Sequence, residues 1–340
     1  MIESILQYTN ELIYFSLCIS IPSLVIYCLQ IVAICRNRQF HNSFFALFVL
    51  RAVPDIIGIF ATSYGYRLPT VFGAVLYPIY EKLPNLARLQ FYFIGAYAFE
   101  AQNIATVFMM LNRMTAIKMP FLNRKLWKRL LPLAVLCSLL FPLLLTYNDL
   151  FMSTYLLKQP NSTAFAIMEE IKEGNVSVLA PVLFIQTIGS IIFLIVCAVL
   201  NFVTFMAYKR QNAKDKISSS STAQLVKRKV ERKLLIYAVV TFIGHAFNTI
   251  ILIGLYIFYY DPLILALLYC NYPWMTDIGT VGVSSCLMLW ASDSLRRQIC
   301  TSFLPRFILE KIMGQTQNAN VIQVKPVNQQ MNIMTKKTNE

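Results

Sequence analysis

Seven apolar blocks, most of them about 20 residues or longer, alternate with short polar linkers, and this pattern constrains the fold more than anything else in the chain. A helix rises 1.5 Å per residue, so roughly 20 apolar residues cross a bilayer core. The blocks cover about 12–35, 43–65, 91–112, 130–147, 178–208, 234–258 and 274–291. Composition agrees: 57% of the 340 residues are hydrophobic and 14% are charged, against roughly 25% charged in a soluble domain. The reading is an all-α polytopic membrane protein with a seven-transmembrane helix bundle. A disordered chain, a fibrous repeat and an ordinary cytosolic enzyme are excluded. The first block lacks a basic leader and is too long for a signal-peptide core, so it reads as a retained helix. The apolar stretch 262–270 is too short to span and reads as a membrane-hugging loop or an extension of the sixth helix. The stretch 71–80 calls for the same caution.

Lysine and arginine set the orientation. The linker after the first span carries Arg36 and Arg38, and that after the third carries Arg113, Lys118, Arg124, Lys125, Lys128 and Arg129. The linker after the fifth carries nine basic residues between Lys209 and Lys233, against Asp215 and Glu231. The linker between the fourth and fifth spans is instead acidic, with Asp149, Glu169, Glu170 and Glu173 against Lys158 and Lys172. The positive-inside rule puts the basic linkers and the C-terminus in the cytoplasm and the N-terminus outside. The formal charge of +14 is thus a matter of topology, and nucleic acid is not an expected partner. Asn161 and Asn175 head N-x-[ST] sequons in the acidic linker, where glycosylation is possible only on the outer side.

The domain organisation follows. Residues 1–11 are a short extracellular N-terminus, and 12–291 are the membrane domain. Residues 292–313 are expected to form an amphipathic helix along the membrane, with Phe303, Leu304, Phe307 and Ile308 toward lipid and Arg306 toward phosphates. Residues 314–340, rich in Gln, Asn and Thr, are expected to be a disordered cytoplasmic tail.

Polar residues inside the blocks are the candidate functional residues, because an ionisable group in hydrocarbon costs roughly 2.5–3.5 kcal/mol on insertion scales. Arg51 and Asp55 lie four apart and share a helix face, with Pro54 between them. They read as a structural pair, as part of a switch or as a ligand contact. Glu100, with Gln102 and Asn103, is a ligand or proton site or a structural cluster. For a cationic ligand it is the first choice of counter-charge. Tyr97, Gln186 and Tyr256 join it as candidate ligand contacts, although such aromatics also suit a lipid-facing belt. Tyr92, Phe99 and Phe184 belong to the same group. His245, with Asn248 one turn on, reads as an interhelical hydrogen bond. Asn112 and Arg113 end the third span at the cytoplasmic face, where a signalling partner docks and where a helix C-terminus and anionic lipid favour a cation.

No Gly-rich phosphate loop, H-E-x-x-H or G-x-S-x-G appears, so no enzyme and no cofactor is expected. Two histidines, His41 and His245, exclude multi-histidine metal sites. The eight cysteines have no zinc-site spacing, so neither structural metal nor a disulfide framework is expected.

Three local patterns carry a resemblance. Asn42 opens the run Ser43, Phe44, Phe45, Ala46, Leu47 and Phe48 that enters the second span ahead of Asp55. Leu111, Asn112, Arg113 and Thr115 lead to Pro120, followed by Trp127. Trp290, Ser292, Asp293 and Arg296 close the seventh span. In this order and placement they resemble the nematode serpentine chemoreceptors of the gamma class, over about residues 11–300. The resemblance implies a G protein-coupled receptor in chemosensory neurons, in the plasma membrane and on its ciliary part, detecting a small molecule or secreted cue and activating a heterotrimeric G protein. Arg51, Asp55, Asn112, Arg113 and His245 are then the candidate switch or coupling residues. Arg113 matches the arginine that rhodopsin-like receptors place after an acid, but here Asn112 precedes it. The N-P-x-x-Y of the seventh helix is also absent. The rival readings are a seven-span ion channel or transporter, with Arg51, Asp55 and Glu100 along a solute path, and a receptor-like scaffold without its own ligand.

Overall fold

The computed structural model describes residues 9–158, 163–170, 179–217, 222–259, 261, 264, 268 and 272–303. Asn161, Asn175, Cys270 and the tail from 304 lie outside them. The first pass is α1, Thr9–Arg36, and the second is α2, Ser43–Thr62. A π turn, Ser63–Arg67, and the short α3, Leu68–Val71, prolong α2. Helix α4, Gly73–Lys82, is too short to cross a bilayer and leads into α5, Asn85–Lys118, the third pass. The fourth pass is α6, Pro120–Thr146, closed by a 3-10 turn over Tyr147–Phe151. Strands β1, Thr154–Lys158, and β2, Phe165–Glu169, pair antiparallel with Leu156 opposite Ile167. The fifth and sixth passes are α7, Leu179–Ile217, and α8, Thr222–Ile257. The seventh is helical from Tyr272, passes through a π segment, Asp277–Gly282, and ends in α9, Val283–Ala291. Separately, α10 spans Asp293–Phe303, with Arg296 donating to Asp293 at 2.9 Å.

Five helical stretches among the described residues are long and apolar enough to cross a membrane: Glu11–Arg36, Ser43–Val71, Pro120–Phe151, Ala180–Ala213 and Lys229–Ile257. Their outer faces explain why. On α6, Leu133, Leu136, Leu140 and Leu144 are 48–69% exposed at helical spacing, and on α7 Ile188, Ile192, Ile195, Val199 and Phe202 repeat the pattern. In water such stripes would be an aggregation hazard, whereas hydrocarbon solvates them. Helix α5 is long enough but more polar, because it is the central helix. It packs against α2, α6 and α7 and buries Glu100, Gln102, Asn103, Thr106 and Asn112.

Helix α1 is polar on its buried side. Ser16, Ser20, Ser23, Tyr27 and Gln30 are spaced by four, three, four and three residues, and all are buried. This stripe faces the seventh helix. Ser16 and Ser20 both donate to Asp277, and Gln30 donates to the Ser285 carbonyl at 2.8 Å. With lipid as apolar as leucine, hydrogen bonds and close packing hold the helices together in place of a hydrophobic gradient.

The family-like runs of the sequence have local physical roles. Asn42 caps α2, its Oδ1 accepting from the amides of Phe44 and Phe45 at 3.1 and 3.3 Å. The Trp127 indole donates to Thr115 Oγ1 at 2.9 Å, and Thr115 also donates toward Asn123 at 2.8 Å. This cluster fixes the tight turn from α5 into α6 around a fully buried tryptophan.

The hairpin is a structured element that periodicity does not signal, since the linker reads as polar and sequon-bearing. It is anchored by Asn85, which accepts from the Thr154 amide and donates to the Met152 carbonyl, both at 2.8 Å. Tyr92 donates to the Ile167 carbonyl at 2.9 Å, and Phe165 packs edge-on against Tyr77 and Tyr80. The two ends of the bundle are therefore distinct: a hairpin end and a basic-linker end.

Helix α8 meets the seventh helix backbone to backbone at Gly244. A Cβ there would overlap the Gly279 carbonyl oxygen, whereas one at Gly279 would lie 3.2 Å from that of Gly244. Overpacking costs about 1–3 kcal/mol. Gly244→Ala is therefore expected to lower the Tm of the purified protein in detergent, and Gly279→Ala to lower it less. Equal Tm values for Gly244→Ala and wild type would show that the two helices are not held at this separation.

Candidate functional site

Between the passes, from the hairpin end to mid-bundle, lies a cavity. Helix α2 contributes Pro54, Asp55 and Gly58. Helix α5 contributes Tyr92, Phe99 and Gln102, α7 contributes Leu183 and Gln186, and α8 contributes Leu252 and Leu255. Tyr272, Thr276, Asp277 and Thr280 of the seventh helix and Asp149 from the turn after α6 complete the wall. All passes but the first and fourth contribute helix residues. A molecule here would touch most of the elements whose relative positions define the bundle's state.

Two buried arginine–carboxylate pairs flank the cavity. Deep in the bundle, Arg51 Nε lies 3.7 Å from Asp55 Oδ2, with both side chains at most 1% exposed. Tyr27 on α1 donates to Asp55 at 2.8 Å, and Arg51 reaches Tyr237 on α8 at 3.4 Å. The pair thus ties α1, α2 and α8 together. Asp55 faces the cavity, while Arg51 faces a second, smaller void toward the basic-linker end, shared with Thr106, Arg113 and Tyr237. The pair is the partition between the two spaces.

The second pair lies toward the hairpin end. Arg67, in the π turn after α2, bonds Asp277 of the seventh helix, and it also donates to Ser63 at 2.8 Å and Ser16 at 3.3 Å. Ser16 and Ser20 bond the same carboxylate. Arg67 is 3% and Asp277 2% exposed. Hydropathy puts Asp277 at the outer end of the seventh span and passes over Arg67, which lies just beyond the apolar block ending at 65. The signal for Arg67 is a basic residue continuing the helical register of α2.

The remaining sequence candidates separate clearly. Gln186 is in the cavity wall. Tyr97 points to α6, donating to the Leu139 carbonyl at 3.2 Å, and Tyr256 packs on Phe184 while 38% exposed. Neither lines the cavity. Glu100 is buried outside the wall, 3.8 Å from where a Cβ on Gly189 of α7 would stand, and its Oε1 accepts no hydrogen bond. His245 stands edge-on to Phe193 and 3.5 Å from Thr106 Oγ1. Both side-chain polar atoms of Asn248 are unbonded, so the expected polar contact belongs to His245 and Thr106. At the basic-linker end, Asn112 donates to Ser43 Oγ at 2.9 Å, and the Arg113 guanidinium lies over the Phe44 ring at 3.3 Å. Glu231 and Tyr237 of α8 are within its electrostatic reach. Among the described residues no cluster of histidine, cysteine and carboxylate is arranged to hold a metal ion.

A bundle with lipid-suited outer faces, buried ion pairs and an inner cavity defines a multi-pass helical membrane protein. The model of the Srg family chemoreceptors matches residues 13–299, and the chain belongs to that family, whose members are seven-pass serpentine receptors. It is 24% identical to serpentine receptor class gamma-15 of Caenorhabditis elegans over 282 residues, 82% of each chain. It is 23% identical to class gamma-20 of the same organism over 52% of this chain and 51% of that one. With class gamma-16 it shares 29% identity over 38% of this chain and 40% of that one.

Removing one member of a buried ion pair leaves the other charge uncompensated, a loss of about 3–5 kcal/mol. Arg67→Met and Asp277→Asn are each expected to lower Tm strongly, and the double variant to lose much less than the two single losses combined. Additive losses in a double-mutant cycle would show that the pair does not couple the second and seventh passes.

Proposed function

We propose that the chain is a G protein-coupled chemosensory receptor that binds a small molecule or secreted cue in the cavity and activates a heterotrimeric G protein at the basic-linker end. The carrying observation is the partition: Asp55 borders the cavity while its partner Arg51 borders the void that also holds Arg113. A ligand that favours one arrangement of the cavity wall acts on Asp55. Arg51 and Tyr237 then carry the difference from α2 to α8. Movement of α8 changes the surroundings of Arg113, which is held by Phe44 on one side and faces Tyr237 across the void. Only a ligand with different affinities for the two arrangements shifts the population. His245, bonded toward Thr106, sits on the same α5–α8 boundary and belongs to the switch.

In this reading the basic linkers lie in the cytoplasm, the N-terminus and hairpin lie outside, and the membrane is the plasma membrane of a sensory cell, including its cilium. Asn161 and Asn175 are then on the glycosylated side. Membrane lipids solvate the leucine and isoleucine stripes of α6 and α7.

The test combines topology with coupling. Epitopes at the two termini are scored in intact and permeabilised cells, and G-protein activation is compared between wild type and Arg113→Ala. The expected outcome is an outside N-terminus, an inside C-terminus, and a basal or extract-induced signal reduced roughly tenfold or more by Arg113→Ala at equal surface expression. An inside N-terminus, or ion current independent of G protein, would overturn the reading in favour of a channel.

A further inference from the structure

The cavity wall contains three carboxylates, Asp55, Asp149 and Asp277, and no lysine, arginine or histidine among its described residues. Two of the three are neutralised from behind by a guanidinium that is not itself in the wall: Asp55 by Arg51 and Asp277 by Arg67. Asp149 is different. It stands in the turn over Tyr147–Phe151, is 1% exposed, and its Oδ1 accepts no hydrogen bond. No basic side chain among the described residues pairs with it. The charged group that acts on it electrostatically is another acid, Glu169, whose carboxylate is engaged by the Tyr259 hydroxyl at 2.7 Å. A buried carboxyl lacking a cation either keeps its proton or gains a cationic partner, and an ammonium placed against it stabilises the charged form through a charge-assisted hydrogen bond.

We infer that the cavity takes a small organic ammonium, with its cation at the Asp149 carboxylate and its apolar body against Leu183, Leu252 and Phe99. Those side chains form the apolar cluster beside Asp149's turn, together with Met152. Tyr92 adds an aromatic edge, and Gln102 and Gln186 supply neutral hydrogen-bonding groups. An anionic ligand is disfavoured, because it would meet the uncompensated Asp149 and no cation among the described residues of the wall. The simplest members of this class are short-chain aliphatic amines. The role the sequence suggests for Glu100 passes to Asp149, since Glu100 lies outside the wall.

This inference rests on the cavity being the ligand site, as proposed above, and its test needs no G protein. Purified receptor in lipid nanodiscs is titrated with isobutylamine, n-propylamine and n-pentylamine as their ammonium forms, with isobutanol as the uncharged isostere of the first. Thermal unfolding is the readout, since a ligand bound to the native state raises Tm with concentration. A saturable rise is expected with at least one amine, and none with isobutanol. Asp149→Asn should keep the unliganded fold and weaken the amine effect roughly 30-fold or more, as for loss of one member of a buried charge pair. The proposal is overturned if isobutanol matches isobutylamine, if Asp149→Asn retains the amine response, or if no amine shifts Tm. Should Asp149→Asn fail to fold, the amine–alcohol comparison on wild type decides alone. Coupling without amine binding would sink only the ligand class, and amine binding without coupling would sink only the receptor reading.

Discussion

A guanidinium buried between helices needs a counter-charge, and in this bundle the one for Arg67 comes from the opposite end of the sequence. Asp277 is 210 residues away. Satisfying that one charge places the π turn after α2, the serine face of α1 and the seventh helix around a single carboxylate. Much of the remaining geometry follows. Once the seventh helix is held against α1, Gln30 reaches Ser285, and Gly279 is brought to the backbone of α8 at Gly244. The π segment at Asp277–Gly282 fits this picture, because a wider turn re-aims side chains at sites where function or strain requires it.

The Arg51–Asp55 pair obeys the same rule but has a different consequence. An i,i+4 pair on one helix neutralises itself without linking helices. It becomes a link through Tyr27 and Tyr237, which bring in α1 and α8. The pair leaves Arg51 Nη2 and Asp55 Oδ1 without hydrogen bonds. Buried polar networks are costly when partly satisfied, and this pair is less fully bonded than the Arg67–Asp277 site, whose carboxylate is met by Arg67, Ser16 and Ser20.

What the sequence discloses, and what it withholds, follows from the range of each signal. Apolar block length is local, so the passes at 12–35, 43–65 and 130–147 are legible from the order of residues alone. The i,i+4 spacing of Arg51 and Asp55 is local too. The Arg67–Asp277 pair is not legible, because neither residue carries a mark of the other and Arg67 looks like the flank of a span. Asp149 reads only as an acid in an outer linker, since nothing in a linear pattern says that the turn after α6 tucks inward. Tyr97 and Tyr256 show the converse. A tyrosine on a membrane helix has the same local signature whether it lines a cavity or faces α6 and lipid, and only the rotation of the helix decides. The hairpin escapes for a related reason: its buried residues Phe165 and Ile167 alternate over five positions, too short a run to stand out beside polar neighbours.

Arg113 is restrained differently from the two buried arginine–carboxylate pairs. In a helix that placed an acid before it, the guanidinium would be held by charge. Here Asn112 spends its amide on Ser43, and the guanidinium rests on the face of Phe44 at 3.3 Å. A cation–π contact is worth about 0.5–2 kcal/mol depending on desolvation, less than a well-formed buried ion pair. It is also supplied by α2, the helix that carries Arg51 and Asp55, so a displacement of α2 acts on both ends of the polar thread at once. The acid that reaches Arg113 electrostatically, Glu231, belongs to α8. The guanidinium is thus shared between two helices linked by Arg51 and Tyr237, and in the proposed receptor mechanism a relative shift of α2 and α8 would alter its restraint with no acid on α5 required.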